Sequence, residues 1–374
     1  MTTYSSLFEP LVFKKGTQLK NRIVMAPMTN CSANEDGTVS REELAYYARR
    51  SQGVSMVITA CTYVTPNGKG FPGEFAGDSD DMIPSLRSLA QTIKEQGAKA
   101  ILQIFHGGRQ CPPALVPNGD IVSASDVASA QVGGIAPRPL REAEVDAIIR
   151  DFGETTRRAI EAGYDGVEIH GANGYLLQQF FSAHTNLRND KWGGSLEKRM
   201  AFPLAIVEEV QRVVAAHAKE PFLIGYRFSP EEEETTGITM ADTLELVDAL
   251  ADRDLDYLHI SLMDFRSLPR RGADPSKTRV EWILDRINGR VPLIGVGSIR
   301  TADDALDARK LGLPIVAIGR ELIVDPDWVQ KVQAGKAAEI ATVISKQDQE
   351  KLVIPDPLWN MIIHRSGWFP VAEV

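Results

Sequence analysis

The sequence has little cysteine, no long apolar run and a deficit of basic residues, and each shortage excludes something. Only Cys31, Cys61 and Cys111 occur in 374 residues. So few and so widely spaced, they supply neither a disulfide framework nor the ligands of an iron–sulfur or other metal site, and no metal is expected. A membrane-crossing helix needs about 18 consecutive apolar residues, whereas runs such as Ile101 to Phe105 are interrupted far earlier. Met1 to Pro10 shows no basic segment followed by an apolar one, so no secretory leader is expected and the cytoplasm is the expected location. Against 50 Asp and Glu stand 41 Lys and Arg, a formal charge of −9 with no basic run. That balance opposes nucleic acid or an anionic membrane as a partner.

What is present is an apolar content of 43% arranged in a rhythm: a short β-rich run, then an amphipathic helical stretch. The candidate strands are Arg22 to Met28, Ser55 to Cys61, Ala98 to Phe105, Tyr164 to His170, Phe222 to Phe228, Tyr257 to Ser261, Val291 to Val296 and Ile315 to Ile318. They are almost continuously apolar, as strands covered on both faces of a parallel sheet must be. Helical stretches such as Arg41 to Ser51, Pro84 to Glu95, Arg141 to Ala162, Leu196 to Ala218, Ala241 to Arg253 and Ala302 to Lys310 fall between them. The pattern predicts an α/β fold, a (β/α)₈ TIM barrel forming a single domain over residues 1–374. A doubly wound sheet is the competitor, but the first strand ends in Ala26-Pro27-Met28 and no GxGxxG follows it. Two insertions exceed the minimal barrel: 107–140 after the third strand, placed over the active site, and Leu262 to Pro275 after the sixth. Residues 337–374 form a C-terminal extension with Trp359, Trp368 and Phe369, expected to pack on its own barrel or on a neighbour.

Barrel chemistry sits at the C-terminal ends of the strands. After the last two strands stand Gly297-Ser298 and Gly319-Arg320, a pattern suited to a phosphate held by close backbone approach and a cation. The fourth strand ends in His170-Gly171-Ala172-Asn173-Gly174-Tyr175. Two neutral donors aimed at one oxygen stabilise the charge that develops on it, and a nearby tyrosine can give a proton. Arg227 ends the fifth strand inside an apolar run and needs an electron-rich partner, either a ligand or a structural carboxylate such as Glu168. Thr29 and Gln103 add polar groups at the same barrel end. The run Glu231 to Glu234 is expected to be a solvated loop, since adjacent carboxylates repel. Arg266, Arg270 and Arg271 are expected either in solvent or on a nucleotide 2′-phosphate.

With these residues in place, the chain resembles the Old Yellow Enzyme family of FMN-dependent ene-reductases over roughly Leu7 to Lys336. The matching pieces are Asn21 to Thr29, Gln103 to Arg109, His170 to Leu176, Trp192-Gly193-Gly194-Ser195 and the two glycine loops. The resemblance implies non-covalent FMN, with Ala26, Pro27, Met28 and Ala60 against the ring and Thr29 at its O4 edge. Gln103 would meet the pyrimidine edge, and Arg227 would stand near N1 and O2. Gly297, Ser298, Gly319 and Arg320 would hold the phosphate, while His170 and Asn173 would bind a substrate carbonyl and Tyr175 would donate the proton. NADH or NADPH would be the reductant and an α,β-unsaturated carbonyl compound the acceptor, in a possible homo-oligomer. Position 29 is Thr where part of the family has Cys, position 173 is Asn where other members have His, and Cys31 stands where some bacterial relatives have Tyr. Two other readings remain open: a non-catalytic flavin-binding protein, and an FMN-dependent RNA dihydrouridine synthase, which the negative charge opposes.

Overall fold

In a computed structural model of the chain, residues 3–372 are described. Eight parallel strands close on themselves: β1 (Ile23–Met25), β2 (Met56–Tyr63), β3 (Lys99–Phe105), β4 (Gly166–Gly171), β5 (Leu223–Phe228), β6 (Tyr257–Ile260), β7 (Leu293–Gly295) and β8 (Ile315–Ile318). Closure comes from β1, which pairs with β8 on one side and β2 on the other. All eight expected strands are present, shifted at most by a few residues at their ends.

The apolar runs are continuous because both faces of the sheet are covered. Inside the barrel, Val24, Met56, Ile58, Ile101, Ile294 and Ala317 form one cluster, joined by Phe13 and Leu19 from an N-terminal hairpin. The alternate residues, among them Ile23, Val57, Leu102, Val167, Ile224 and Val316, face outward into a second, larger cluster with the helices. These are α1 (Arg41–Arg50), α2 (Ile83–Glu95), α3 (Glu142–Ala162), α4 (Leu196–His217), α5 (Met240–Ala251), α6 (Arg279–Ile287) and α7 (Ala302–Lys310). Reciprocal capping fixes several starts, with Thr239 and Asp242 at α5 and Thr301 and Asp304 at α7.

Helix α6 is absent from the sequence-based expectation. Its signal was legible: Thr278 and Glu281 form a capping box, and Val280, Ile283 and Ile287 are buried at helical spacing. The 107–140 insertion contains two-residue strands, Val122–Ser123 and Arg138–Pro139, and lies against the end of β4, where Gln110 Nε2 donates to the Gly174 carbonyl at 2.7 Å. The C-terminal segment packs on its own barrel. Ile344 bridges Val371, and the Trp368 carbonyl accepts a hydrogen bond from Arg320. Among the described residues no helix is long and apolar enough to cross a membrane.

Candidate active site

The C-terminal ends of the strands border a cavity of about 700 Å³. Its wall includes Ala26, Pro27 and Met28 after β1 and the glycine loops after β7 and β8. Gly297 has φ +120°, and a Cβ there would stand 2.6 Å from the Leu262 carbonyl oxygen and 2.9 Å from Asp264 N. Only glycine fits this close approach. Ser298 follows at φ 53°, its hydroxyl donating to the Met263 carbonyl at 2.8 Å. Arg320 donates to the Trp368 carbonyl at 2.9 Å, and burial together with the neighbouring Arg300 charge holds its pKa below the usual arginine value. Arg300 also lines this end; the sequence analysis missed it, although it lies only three residues beyond Gly297 in the same loop. Among the described residues no carboxylate forms an ion pair with either guanidinium. The helix after Gly319 has only five residues, Arg320–Val324, so what this end offers an anion is these two charges and the loop N–H groups.

At the end of β4, the Ala172 N–H donates to His170 Nδ1 at 3.3 Å, which puts the ring proton on Nε2. Burial first, then the Arg227 charge, holds the His170 pKa well below its ordinary value, so the ring is neutral. Asn173 adopts φ 58°, and its Oδ1 accepts from the Ser261 hydroxyl at 2.8 Å. Ser261 in turn accepts from Arg227 Nη2 at 3.2 Å. With Oδ1 engaged, the free end of the Asn173 amide is its NH₂. Tyr175 packs edge-on against Phe105 and His170, with ring centroids 4.6 and 5.1 Å apart. Its hydroxyl has no protein partner among the described residues, and burial pushes its pKa up, so the phenol stays protonated.

Arg227 lies opposite His170 in the strand register and is 8% exposed. It does not pair with Glu168, the structural alternative raised by the sequence. Glu168 is held instead by His259 at 2.9 Å and by Gln103 at 2.8 Å. Among the described residues Ser261 is the one side-chain partner of Arg227, and Arg227 Nε has none. A buried guanidinium satisfied only by a neutral hydroxyl needs an electron-rich ligand atom beside it.

Asn173, Arg227 and the β1, β7 and β8 residues share the cavity wall, whereas Thr29, Ala60, Gln103, His170 and Tyr175 lie off it. Thr29 Oγ1 is 3.7 Å from Cys61 Sγ, and the Ala60 N–H donates to the Tyr47 hydroxyl at 2.7 Å. The acidic run is a solvated loop only in its second half. Glu233 and Glu234 are exposed, but the Glu231 side chain is buried and accepts from Arg279 and from the Arg270 and Arg271 backbone N–H groups, and Glu232 binds Gln178 and Ser182. Of the arginines after β6, Arg266 and Arg270 are exposed to solvent, beside Asp304 and Glu233, and Arg271 binds the carbonyls of Glu232, Glu234 and Thr235.

An anion-holding end built from glycine loops and two arginines, with a buried unpaired guanidinium further along, fits the phosphate and the pyrimidine edge of FMN. The family model of the NADH:flavin oxidoreductase / NADH oxidase family matches residues 6–339. The chain belongs to this family. As a flavin oxidoreductase it is an enzyme dependent on FMN and a reduced nicotinamide. It is 57% identical over 370 residues to the "Probable NADH-dependent flavin oxidoreductase YqiG" of Bacillus subtilis (strain 168), covering 99% of both chains. It is 41% identical to an NADH:fumarate oxidoreductase of Klebsiella pneumoniae (strain 342), where 96% of this chain spans 39% of that protein. Among solved structures, an old yellow enzyme homologue from Zymomonas mobilis superposes with TM-score 0.77 at 26% identity, covering 95% of this chain and 99% of that one. Morphinone reductase in complex with tetrahydroNAD gives 0.74 at 27% identity, covering 89% and 91%.

Proposed function

We propose that this flavin oxidoreductase reduces the C=C bond of α,β-unsaturated carbonyl compounds with NADH. The observation that carries the reading is the pair of free N–H donors, His170 Nε2 and Asn173 Nδ2, on the turn that also carries the protonated Tyr175. FMN, when bound, would supply the redox chemistry, hydride transfer between the nicotinamide and the C=C bond. Gly297, Ser298, Gly319, Arg300 and Arg320 would hold its phosphate, and Arg227, Gln103 and Thr29, with Ala26, Pro27, Met28 and Ala60, would hold its ring. His170 and Asn173 bind the carbonyl oxygen and stabilise the negative charge that reaches it. Tyr175 gives its O–H proton to the α-carbon and regains one from solvent. The neutral state of His170 is what makes it a donor without a buried net charge.

NADH is favoured over NADPH because Arg266, Arg270 and Arg271, the cations of the loop beside the cavity, are already engaged by Asp304, Glu233 and backbone carbonyls. The names of the two relatives above agree. Steady NADH consumption by the FMN-loaded protein should accelerate when cyclohexenone is added, and NADPH at the same concentration should serve less well. Consumption indifferent to the enone would overturn the substrate class and favour a flavin protein without ene-reductase activity.

A further inference from the structure

An amide at the pyrimidine edge of a flavin can present either its carbonyl oxygen or its NH₂, and only one end suits the N3–H donor there. We infer that Glu168 is the positioning residue that makes this choice, holding Gln103 with its carbonyl oxygen toward the flavin. The inference rests on the proposed placement of Gln103 at that edge.

Glu168 is fully buried on β4, in register with Gln103 on β3. Its two oxygens are divided between two neighbours: Oε1 takes Gln103 Nε2 at 2.8 Å, and Oε2 takes His259 Nδ1 at 2.9 Å. An ionised carboxylate only accepts hydrogen bonds. Gln103 must therefore spend its donor on Glu168, and its Oε1, which has no protein partner among the described residues, turns the other way. Burial pushes the Glu168 pKa up, but His259, Arg227 and Gln103 together bring it below the usual carboxylate range, so the acceptor-only form holds at neutral pH. Beside it, burial, aided by Arg227 and opposed by Glu168, keeps His259 below its ordinary pKa, consistent with a neutral ring donating from Nδ1. Arg227 then offers a donor and Gln103, just behind the cavity wall, an acceptor, the complement of O2 and N3–H. Reversed, Gln103 would oppose an NH₂ to an N–H.

The test is Glu168→Gln, which keeps the shape and removes the charge. The new amide meets the His259 donor with its oxygen and gives its NH₂ to Gln103, so Gln103 turns its own NH₂ to the flavin. FMN should then bind roughly tenfold or more weakly, the scale of a lost buried hydrogen bond plus an unpaired donor. The flavin potential should rise, because a carboxylate charge near the ring is gone. The exchanged variant Gln103→Glu/Glu168→Gln again presents an oxygen to N3–H, so FMN affinity should return to within about threefold of the parent and the potential should fall back. A merely structural carboxylate would not give opposite shifts in two variants sharing Glu168→Gln. Gln103→Leu separates the two layers of argument. If it binds FMN as the parent does, Gln103 is not at the flavin edge. If it binds weakly while Glu168→Gln keeps parental affinity and potential, the positioning role is wrong. Should Glu168→Gln fail to fold, the exchanged variant must still bind FMN more tightly than Gln103→Glu alone, in which two carboxylates face each other; the reverse order overturns the inference.

Discussion

The two ends of the proposed flavin site are built from different materials. The phosphate end is backbone: Gly297 at φ +120°, Ser298 at φ 53° and Gly319 packed near Met28, with two arginines beside them. The carbonyl end is side chain: His170, Asn173 and Tyr175, each oriented by a neighbour or left free by it. A backbone cradle is insensitive to loss of a side chain but intolerant of added atoms. A side-chain site is the opposite, and it can be emptied one group at a time.

Tyr175→Phe should give the largest effect. It removes the proton and keeps the ring, so enone reduction should slow by about 10²- to 10⁴-fold, with FMN affinity unchanged. Quinones, whose oxygens take protons from solvent, should lose far less in stopped-flow measurements. Enone turnover at the parental rate would make Tyr175 a packing residue. Next is His170→Ala/Asn173→Ala, which deletes both donors. Phenols, whose oxygen uses the same pair, should bind roughly 30- to 100-fold more weakly, with loss of the long-wavelength charge-transfer band at matched phenol concentration.

Gly297→Ala tests the backbone end. One methyl group at a strained, crowded position costs about 1–3 kcal/mol, and FMN titration should show weaker binding. Ser298→Ala, which adds nothing, should stay within a few-fold of the parent. The smallest effect concerns pH. Glu321 lines the phosphate end, and burial, reinforced by Asp325 and Asp304 against the pull of Arg300 and Arg320, raises its pKa to about 8. Below that pH the carboxyl is neutral; above it a negative charge develops near the phosphate, so FMN affinity should fall as pH rises through 8 and stay flatter in Glu321→Gln. The carbonyl end should show no such step between roughly pH 6 and 9, because His170 titrates well below its usual range and Tyr175 well above. Equal pH responses at both ends would erase the distinction.

The barrel was legible because covering a sheet on both faces leaves a signature in every strand, and eight such runs survive any error at their ends. The Gly297 loop was legible for a similar reason: a φ that only glycine tolerates well must be written into the chain. Within the Glu231 to Glu234 run, Glu233 and Glu234 are exposed as expected, but Glu231 misled, because the repulsion among neighbours is local, whereas the partners that quench its charge, Arg270, Arg271 and Arg279, come from a loop and helix about forty residues later. Arg300 escaped notice because nothing in a solvent-rich loop separates a phosphate-facing arginine from any other.

By itself the sequence determined the fold, the end of the barrel where chemistry collects, and which residue types stand there. Tertiary structure decided what those residues offer a ligand. The proton of His170 is placed by the Ala172 N–H, the free end of Asn173 by Ser261 just after β6, and the partners of Glu168 are His259 and Gln103 rather than Arg227. Imidazoles and amides have two chemically different ends of nearly the same shape, so only the groups packed against them in space determine which end is spent and which is left to act.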